Sequence, residues 1–280
     1  MFKIRTKKIF NPQVKLLTVE APEVARHALP GQFIMLRVTE TGERIPLTIA
    51  DYDREQGTIT IIFQEVGKTT RMLGALEEGD TILDFVGPLG NPSHLDELKH
   101  VCVIGGGLGC AIAYPQAKYL HAHGAKVDMI AGFRNKDLIF LEDEMRAVCD
   151  HLYVVTDDGS NGKKGLVTDI LKERLDAGVE YDAVIAIGPL IMMKFVSLTT
   201  KPYHVKTLVS MNSIMIDGTG MCGGCRLTVG GETKFACVDG PDFDGHLVDF
   251  DEAMRRGGMY RAEERAKLEE HECRMKGMGK

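Results

Sequence analysis

The hydrophobic pattern of the chain changes about one third of the way along its length. Up to about residue 90, β-rich runs are separated by Pro, Gly or charged turns, which is typical of short strands. The predicted strands are Phe2–Phe10, Val14–Ala21, Phe33–Val38, Ile45–Asp51, Thr58–Val66 and Thr81–Phe85. Six strands at such short spacing predict a closed antiparallel barrel.

From about His100, buried apolar runs alternate with glycine turns and amphipathic stretches. The apolar runs are Val101–Ile104, Lys126–Ala131, Leu152–Thr156, Ala183–Ile187 and Thr207–Ser210. Such runs are typical of a parallel sheet that is covered on both faces. Helices are expected between them, for example Pro115–His123 ending at Gly124 and Leu166–Ala177 ending at Gly178. This part of the chain therefore predicts an open, doubly wound sheet.

A glycine- and cysteine-rich loop follows the last predicted strand, and a charged, helix-prone tail ends the sequence. A chain of 280 residues is long enough for two or three domains. We expect a β-barrel domain over residues 1–97 and a doubly wound α/β domain over 98–210. The loop subdomain is expected over 211–248 and the helical tail over 249–280.

The composition narrows the functional classes. Hydrophobic residues make up 44% and charged residues 26% of the chain, as in ordinary soluble globular proteins. A net charge of −6 gives no electrostatic basis for binding nucleic acid, and the apolar stretches are too short to span a membrane. Seven cysteines without a secretion signal favour a reducing cytoplasm, where clustered cysteines bind metal more often than they pair.

The strongest chemical signal is Asp217-Gly-Thr-Gly-Met-Cys222-Gly-Gly-Cys225, which is followed by Cys237. With Asp217 in the place of the first cysteine, it has the C-x4-C-x2-C…C spacing of a plant-type [2Fe–2S] site. The glycines allow the loop to curl round an inorganic core, because they permit positive φ angles and close approach. The predicted ligands are therefore Asp217, Cys222, Cys225 and Cys237.

A structural zinc site is the alternative at this loop, since Cys222-x2-Cys225 alone also occurs in zinc knuckles. The glycine-rich context, and the lack of a nearby histidine at a typical spacing, favour iron–sulfur. The cysteines at 102, 110, 149 and 273 have no partner at an informative spacing and are interpreted as incidental.

A second site is predicted where two glycine turns follow strands of the parallel sheet. Gly105-Gly106-Gly107-Leu108-Gly109 lies at a strand-to-helix turn, where backbone N–H groups suit a dinucleotide pyrophosphate. Gly188-Pro189 follows a later strand and reaches the same carboxyl edge, where ligands bind in such folds. Cys110 occupies the place of the last glycine of the full fingerprint, so a merely tight turn remains an alternative.

Charged side chains end two other strands at this edge of the sheet. Arg134 closes one of them, and Asp157 and Asp158 follow another. Carboxylates here can accept hydrogen bonds from ribose hydroxyls and would repel a 2′-phosphate. The sequence therefore favours NAD(H) over NADP(H), although a solvated acidic turn would give the same pattern.

Segments of the barrel carry groups suited to a charged cofactor such as a flavin dinucleotide. Together they offer an arginine, a lysine, hydroxyls and free backbone N–H groups, although each segment alone is only a turn in a β domain. The candidate residues are Arg44, Ile45, Pro46, Leu47, Thr48, Ile62, Phe63, Gly67, Lys68, Thr69, Thr70, Gly87 and Gly90.

The order of barrel, nucleotide sheet and cluster loop resembles one branch of the ferredoxin–NADP reductase superfamily. That branch contains the electron-transfer subunit of NAD-dependent dihydroorotate dehydrogenase. The matching landmarks are Pro30-Gly31-Gln32-Phe33, Ile45-Pro46-Leu47-Thr48, Gly67-Lys68-Thr69-Thr70, Gly87-Pro88-Leu89-Gly90, Gly105-Gly106-Gly107-Leu108-Gly109 and Gly188-Pro189. The resemblance implies that Thr48 is catalytic, with its hydroxyl near flavin N5. Ile45 takes the place of the family's arginine, with Arg44 just before it, and Thr69 replaces a glycine.

Asp217 at the first ligand position resembles the small subunits of electron-bifurcating, NADH-dependent ferredoxin:NADP oxidoreductases. So do Arg44-Ile-Pro-Leu-Thr-Ile-Ala-Asp and Cys237-Val-Asp-Gly-Pro-Asp-Phe-Asp. This resemblance implies an electron-transfer subunit with FAD, NAD(H) and a [2Fe–2S] cluster. It also implies a heterodimer with a large flavin/[4Fe–4S], glutamate-synthase-like subunit, which uses ferredoxin and NADP(H).

Three alternatives remain open for the function. The chain could serve as the electron-transfer subunit of a dihydroorotate dehydrogenase or of a sulfide dehydrogenase, with the same cofactors and another partner. It could also be a non-enzymatic regulatory subunit with a structural zinc at the cysteine loop.

Overall fold

The computed structural model describes residues 1–277. Within that range the chain forms fifteen strands and eight α-helices, and they follow the predicted order of barrel, parallel sheet and cluster loop. No helix in this range is both long and apolar enough to cross a membrane.

The N-terminal part is a seven-stranded antiparallel sheet that curls into a nearly closed barrel. Its strands are β1 (Phe2–Ile9), β2 (Val14–Glu20), β3 (Phe33–Arg37), β4 (Arg44–Asp53), β5 (Thr58–Gln64), β6 (Thr81–Ile82) and β7 (Asp84–Leu89). Their order in the sheet is β6-β1-β2-β5-β4-β3-β7. Two short helices, α1 (Pro22–His27) and α2 (Lys68–Gly74), lie in the connections. Alternate apolar side chains such as Leu17, Ile34 and Phe63 are fully buried and fill the interior.

The predicted strand Thr81–Phe85 is two strands in the structure. β6 pairs with β1 at one edge of the sheet, whereas β7 pairs with β3 at the other edge. The chain therefore crosses between the two edges at Leu83, and this crossing brings the barrel close to closure. The barrel prediction is confirmed, with one more strand than expected.

The second part is built on a six-stranded sheet in the order β10-β9-β8-β11-β12-β15. The strands are β8 (His100–Gly106), β9 (Lys126–Phe133), β10 (His151–Thr156), β11 (Ala183–Ile187), β12 (Thr207–Ser210) and β15 (Asp242–Asp244). The first five are parallel, and β15 is antiparallel to β12. Helices α3 (Gly109–Ala122) and α4 (Glu142–Arg146) pack on one face, and α5 (Val167–Asp176) and α6 (Leu190–Thr200) on the other. The predicted doubly wound sheet is confirmed.

Helix α3 begins at Gly109 and not at Pro115, where the sequence predicted its start. Pro115 lies inside the helix and is buried. Proline favours the first turn of a helix, and the prediction followed that preference. The glycine turn that ends β8 sets the start instead, because α3 follows it without an intervening loop.

The C-terminal part carries the cysteine loop, the hairpin of β13 (Arg226–Val229) and β14 (Glu232–Phe235), and strand β15. The tail forms helices α7 (Phe250–Gly257) and α8 (Arg261–Gly277). Short 3₁₀ turns at Lys136–Leu138 and Lys201–Tyr203 complete the fold of the described residues. Residues 278–280 of the predicted tail lie outside the described range. Because β15 joins the nucleotide sheet, the segment after the last cysteine of the loop is anchored in the second part.

Asp128 on β9 is a fully buried carboxylate near the amino edge of the sheet. It accepts hydrogen bonds from Tyr181 Oη at 2.6 Å and from His151 Nδ1 at 2.8 Å. His100 Nε2 and Arg174 Nη2 each lie 3.9 Å from its Oδ2. Burial acts to raise the pKa of Asp128, but the hydrogen bonds from Tyr181 and His151 and the nearby histidine charges outweigh it and lower the pKa. The ionised carboxylate therefore holds the starts of three strands together.

Replacing Asp128 with asparagine should make the protein less stable at neutral pH and less sensitive to acid. The free energy of unfolding is expected to fall by about 1–3 kcal/mol, because the hydrogen bond from His151 loses its charged acceptor. The lowered pKa of Asp128 contributes stability that is present above about pH 4, the unfolded value, and is lost as pH falls through the folded pKa. Urea unfolding of both proteins at several pH values from 3 to 7 measures this difference.

Glu180→Gln is the matched control, because Glu180 is an exposed acid beside Tyr181. This variant should follow the wild type at every pH. Identical acid dependence in the wild type and Asp128→Asn would show that Asp128 does not stabilise the sheet through its charge.

Candidate functional site

The strand order reverses at β8 and β11, which lie side by side while their connections run to opposite halves of the sheet. In open α/β sheets, such a reversal leaves a crevice at the carboxyl ends of the strands, where ligands bind. Gly105 pairs with Ile187 across β8 and β11. A Cβ built on Gly188 would lie 3.2 Å from Gly106 Cα. The structure therefore brings the two predicted glycine turns together at one crevice.

Close packing explains two glycines of the first turn. A Cβ on Gly109 would collide with the carbonyl oxygen of Ile187, so only glycine lets α3 start against β11. A Cβ on Gly106 would collide with Met192 Sδ, and one on Gly188 would lie 2.8 Å from Met192 Cε. Met192 therefore fills the space between the two turns. Sequence reasoning missed it, and its only signal was its position one helical turn after Gly188-Pro189.

Gly107 and Cys110 show two different uses of the same turn. Gly107 has a φ of +55° and nothing within 4 Å of its Cβ position, so there is space beside its Cα, while its N–H donates to Gly132 O at 2.8 Å. Cys110 Sγ would lie 2.8 Å from a Cβ on Gly105, so the thiol packs against the turn. Burial raises the pKa of Cys110 to about 12, which keeps the thiol protonated and unreactive.

The predicted acidic turn lies at the carboxyl ends of β9 and β10. Asp157 N donates to Phe133 O at 3.0 Å, and Asp158 N donates to Arg134 O at 3.3 Å. The side chains of Arg134, Asp157 and Asp158 are all exposed. Hydrogen bonds from Ser160 lower the pKa of Asp158, which therefore serves the turn itself. Asp157 is the acid left facing solvent, two strands and roughly 10 Å from the crevice.

The predicted flavin segment of the barrel is the first half of β4. Its side chains alternate between the barrel interior and the outer face. The inward ones are Ile45 and Leu47, and the outward ones are Arg44, Pro46 and Thr48. Thr48 is half-buried and pairs with Phe33 of β3. Arg44 is exposed, with Nη2 3.8 Å from Asp84 Oδ2.

Packing within the protein accounts for four other predicted cofactor residues. Phe63 is fully buried in the barrel core, so a ligand can reach it only through its backbone. Ile62 is buried against the second part of the chain. A Cβ on Gly87 or Gly90 would lie 2.7 Å or 2.8 Å from side chains of β3, so both glycines allow strands to approach closely.

The segment Gly67–Thr70 forms the start of α2 and not an open turn. Thr70 Oγ1 accepts hydrogen bonds from Val66 N at 3.1 Å and Gly67 N at 3.0 Å. Thr69 is buried, and Lys68 is half-buried. The Thr70 hydroxyl therefore caps the helix and occupies the N–H of Gly67, while Lys68 is the group placed to meet an anion.

Three of the four predicted cluster ligands are thiols of the cysteine loop, and two of them lie together. Cys225 and Cys237 are buried, with their Sγ atoms 3.3 Å apart. Cys222 is exposed, and its Sγ accepts a hydrogen bond from Gly224 N at 3.4 Å. Burial and the neighbouring Cys225 thiol raise the pKa of Cys237 to about 12. Without a metal, the Cys237 thiol is therefore protonated at neutral pH and has to lose its proton when a metal binds.

The cysteine loop owes its curl to its glycines. Gly218, Gly220 and Gly223 have positive φ angles. A loop of this kind can curl round an inorganic core, as the sequence predicted. Over residues 1–277, no three His, Cys, Asp or Glu side chains converge tightly enough to hold one metal ion.

Asp217 shapes this loop through both of its carboxylate oxygens. Oδ1 accepts a hydrogen bond from Thr219 N at 2.7 Å, and Oδ2 accepts one from Cys222 N at 2.9 Å. The hydrogen bond from Thr219 is the main reason that the pKa of Asp217 is lowered. Each oxygen keeps a further lone pair. The carboxylate can therefore hold the loop and still offer an oxygen to iron.

The cluster loop rests on the barrel next to the flavin segment. A Cβ on Gly218 would lie 2.6 Å from Met35 Cγ and 3.1 Å from Leu89 Cδ1. Leu89 and Thr48 pair with Phe33 from its two sides. At the usual strand spacing, Thr48 therefore lies roughly 10 Å from the contact point of the loop. Sequence reasoning did not identify Met35 and Leu89 as part of the site, because apolar strand residues carry no chemical signal.

Replacing Gly109 with alanine should destabilise the second part of the chain. The added Cβ meets the carbonyl oxygen of Ile187, so we expect a loss of about 3 kcal/mol in the free energy of unfolding. Gly124→Ala, at the other end of α3, is the control. Gly124 has a φ of +82° and nothing within 4 Å of its Cβ position, so its loss is limited to about 1 kcal/mol of backbone strain. Chemical denaturation measures both, and equal losses would contradict the packing argument.

Comparison with known proteins agrees with this geometry. The sequence profile described as the iron-sulfur cluster binding domain of dihydroorotate dehydrogenase B matches residues 212–249, which span the cysteine loop. A homologue of the dihydroorotate dehydrogenase B (NAD(+)) electron transfer subunit from Thermotoga maritima is 48% identical, over 90% of this chain and 88% of that protein. The electron transfer subunit from Bacillus caldolyticus is 33% identical, over 86% of this chain and 94% of that protein.

A solved structure of the NADH-dependent reduced ferredoxin-NADP oxidoreductase, studied for flavin-based electron bifurcation, contains a similar chain. The two chains superpose with a TM-score of 0.91 and 45% identity, over 96% of this chain and 97% of the other. The family match at the cysteine loop favours iron–sulfur over zinc there. The chain belongs to the family of dihydroorotate dehydrogenase B electron-transfer subunits and their homologues.

Proposed function

We propose that this chain is the electron-transfer subunit of an oxidoreductase, working between NAD(H) and a larger partner subunit. When bound, FAD supplies hydride exchange with NAD(H), and the [2Fe–2S] cluster supplies one-electron exchange. The chain's own residues bind and orient these groups. Hydride exchange at a flavin needs no acid or base from the protein, in keeping with a candidate site that contains no such pair.

The contact of Gly218 with Met35 and Leu89 carries this proposal. It holds the cluster loop against β3 and β7, beside strand β4, which carries Thr48. Helix α3 packs its alanine-rich start in the same core as Ala50 of β4. The nucleotide crevice, the flavin segment and the cluster loop therefore lie around strand β4 and its neighbours.

In the flavin site, Thr48 would donate or accept a hydrogen bond near N5 and so orient the ring for hydride exchange. Arg44, on the same outward face of β4, is exposed and placed to pair with a phosphate of FAD. Lys68 adds a positive group at the start of α2. The side chains of Ile62 and Phe63 would contribute only to the shape of the barrel.

In the nucleotide site, the space beside Gly107 would admit the phosphates of NAD(H), and Asp157 would accept hydrogen bonds from ribose hydroxyls. Met192 would bound the crevice between the two glycine turns. In the cluster site, Cys222, Cys225 and Cys237 would ligate iron as thiolates, and Asp217 would supply the fourth ligand through oxygen. A hard carboxylate in place of a soft thiolate makes this site distinct from a four-cysteine one.

The surface around the cluster loop suits a protein partner. Ile216, Met221 and Val238 are 60%, 88% and 42% exposed, and Cys222 lies among them. Exposed apolar groups gathered at one place mark interaction surfaces. A partner seated there would receive electrons from the exposed side of the cluster.

Asp217 and the similarity to the solved oxidoreductase favour a large flavin/[4Fe–4S] subunit as the partner, in a complex that bifurcates electrons between ferredoxin and NADP(H). The family match at residues 212–249 favours the second candidate, a dihydroorotate dehydrogenase. Anaerobic co-purification distinguishes them, because the two partners differ in size and in iron content.

Cys222→Ala should remove the cluster and leave NADH-dependent flavin reduction intact. Cys222 is exposed, so its loss costs no core packing. Anaerobic titration with NADH should bleach the flavin in the wild type and in the variant, while iron and sulfide content falls only in the variant. Cys273→Ala is the control, because this exposed cysteine lies on α8, away from the loop. A flavin that NADH does not reduce, or full iron content in Cys222→Ala, would contradict the proposal.

Asp157→Asn should weaken the preference for NADH over NADPH. The wild type is expected to use NADH more efficiently, because the Asp157 carboxylate repels a 2′-phosphate. Neutralising this carboxylate should lower the ratio of kcat/KM with NADH to kcat/KM with NADPH by about tenfold, or 1.4 kcal/mol. Equal efficiency of the wild type with both nucleotides would refute this role for Asp157.

A further inference from the structure

A buried polar contact joins the three parts of the chain at one point. Ser93 lies in the segment between β7 and β8, Gln116 on α3, and Asp242 at the start of β15. Ser93 Oγ donates a hydrogen bond to Asp242 Oδ2. Gln116 Nε2 donates to Ser93 Oγ at 3.0 Å and lies 3.4 Å from Asp242 Oδ2. We call Ser93, Gln116 and Asp242 the three-part junction.

Backbone and amide hydrogen bonds extend the junction towards the cluster loop. Asn91 N donates to Gly240 O at 2.7 Å, and Asn91 Nδ2 donates to Val238 O at 3.0 Å. Met211 N donates to Pro241 O at 2.9 Å. Val238 directly follows Cys237, so these bonds fix the chain immediately after a predicted cluster ligand.

The segment Pro30-Gly31-Gln32-Phe33 of the barrel contacts the three-part junction directly. Ser93 N donates to Pro30 O at 2.9 Å, and Gln32 Nε2 donates to Gly90 O at 2.9 Å. A Cβ on Gly31, whose φ is +87°, would collide with Ser93 Oγ. Gly31 is therefore required for the barrel to hold Ser93 where it meets Asp242.

The junction has one donor too few if Asp242 is ionised. Asp242 Oδ1 and Gln116 Oε1 are both buried, and neither has a hydrogen-bond partner among the described residues. Two buried acceptors without a donor are costly, and a proton on Asp242 Oδ1 would turn one of them into a donor. Burial raises the pKa of Asp242, and the side chains of Ser93, Ser210 and Gln116 and the charge of His94 oppose this rise. These are the polar groups that face it from the linking segment, α3 and β12.

We propose that the three-part junction positions the cluster loop relative to the flavin site, and that Asp242 acts in it as a neutral hydrogen-bonding group. Asp242 is a positioning residue and touches no cofactor. Its effect is exerted through the chain that leads to Cys237. This inference rests on the proposed function, because it assumes that electrons pass between flavin and cluster.

Rapid mixing of the anaerobic, fully loaded subunit with NADH tests the junction. Flavin bleaching and cluster reduction are followed separately at their own wavelengths. Asp242→Ala and Ser93→Ala should slow cluster reduction by about tenfold or more, since small misplacements of reacting groups have large effects on rate. Flavin bleaching should stay within about twofold of the wild-type rate in both variants, because the nucleotide and flavin residues are untouched. Asp242→Asn should behave as the wild type, because asparagine is neutral and can still donate.

Gly31→Ala tests the junction from the barrel side, and Gly79→Ala is its matched control. Both place a Cβ at a positive φ, +87° and +95°, but the Gly79 position has nothing within 4 Å. Only Gly31→Ala should slow cluster reduction. Amide hydrogen exchange gives a readout that needs no turnover, and exchange at Asn91 and Met211 should accelerate in Asp242→Ala and Gly31→Ala but not in Asp242→Asn or Gly79→Ala.

The protonation state of the Asp242 carboxyl is tested by a separate measurement. A raised pKa means that the folded protein binds an extra proton, so stability from a neutral Asp242 is lost as pH rises through the folded pKa. Unfolding free energies from pH 4 to 8 should therefore fall more steeply in the wild type than in Asp242→Asn. Parallel curves, or an Asp242→Asn variant as slow as Asp242→Ala, would overturn the neutral carboxyl.

Wild-type cluster reduction rates in Asp242→Ala, Ser93→Ala and Gly31→Ala would overturn the positioning role. Failure of the proposed function looks different, because NADH would then leave the wild-type flavin oxidised. Amide hydrogen exchange still tests the junction in that case. Unchanged exchange at Asn91 and Met211 in Asp242→Ala and Gly31→Ala would overturn the positioning role. If Asp242→Ala does not fold, the milder Ser93→Ala and Gly31→Ala decide the outcome.

Discussion

Close contact of a glycine with a side chain or carbonyl of another segment sets the distances on which this molecule depends. Gly218 of the cluster loop lies on Met35 and Leu89 of the barrel. Within the second part, Gly109 of the glycine turn lies on the carbonyl of Ile187. At each of these positions a single β-carbon would force the two surfaces apart, so their spacing is set by excluded volume. Electron transfer between cofactors needs short, fixed separations, to which these close-packed glycines contribute.

Charged groups are divided between the two edges of the parallel sheet. At the amino edge, Asp128 is buried and fully partnered, and it stabilises the sheet. At the carboxyl edge, Arg134 and Asp157 are exposed. The fold therefore places its buried structural charge and the exposed charges that we propose for nucleotide binding at opposite ends of the strands, so that a change in one need not disturb the other.

The sequence was sufficient for the parts whose pattern is local. Ala183–Ile187 and Thr207–Ser210 are strands with the predicted bounds, because continuous apolar runs flanked by turns have few other stable forms. The cysteine spacing likewise identified the cluster loop. The sequence failed where distant contacts decide: Thr81–Phe85 splits because its two halves pair at opposite edges of the barrel. The side chain of Phe63 faces the barrel core, and only the sheet register tells which side of β5 is inside. Ser93, Gln116 and Asp242 could not be found at all, since each is an ordinary polar residue until the fold brings the three together.

Strand β15 is the last strand of the fold to be synthesised. Residues 242–244 leave the ribosome after every strand of the barrel and every parallel strand of the nucleotide sheet. The edge strand β12 is therefore complete before its partner β15 emerges. Pairing of β15 with β12 then adds to the hydrogen bonds from Asn91 and Met211 that secure the chain after Cys237. A chain that ended before residue 242 would lack the pairing that ties this segment to the parallel sheet.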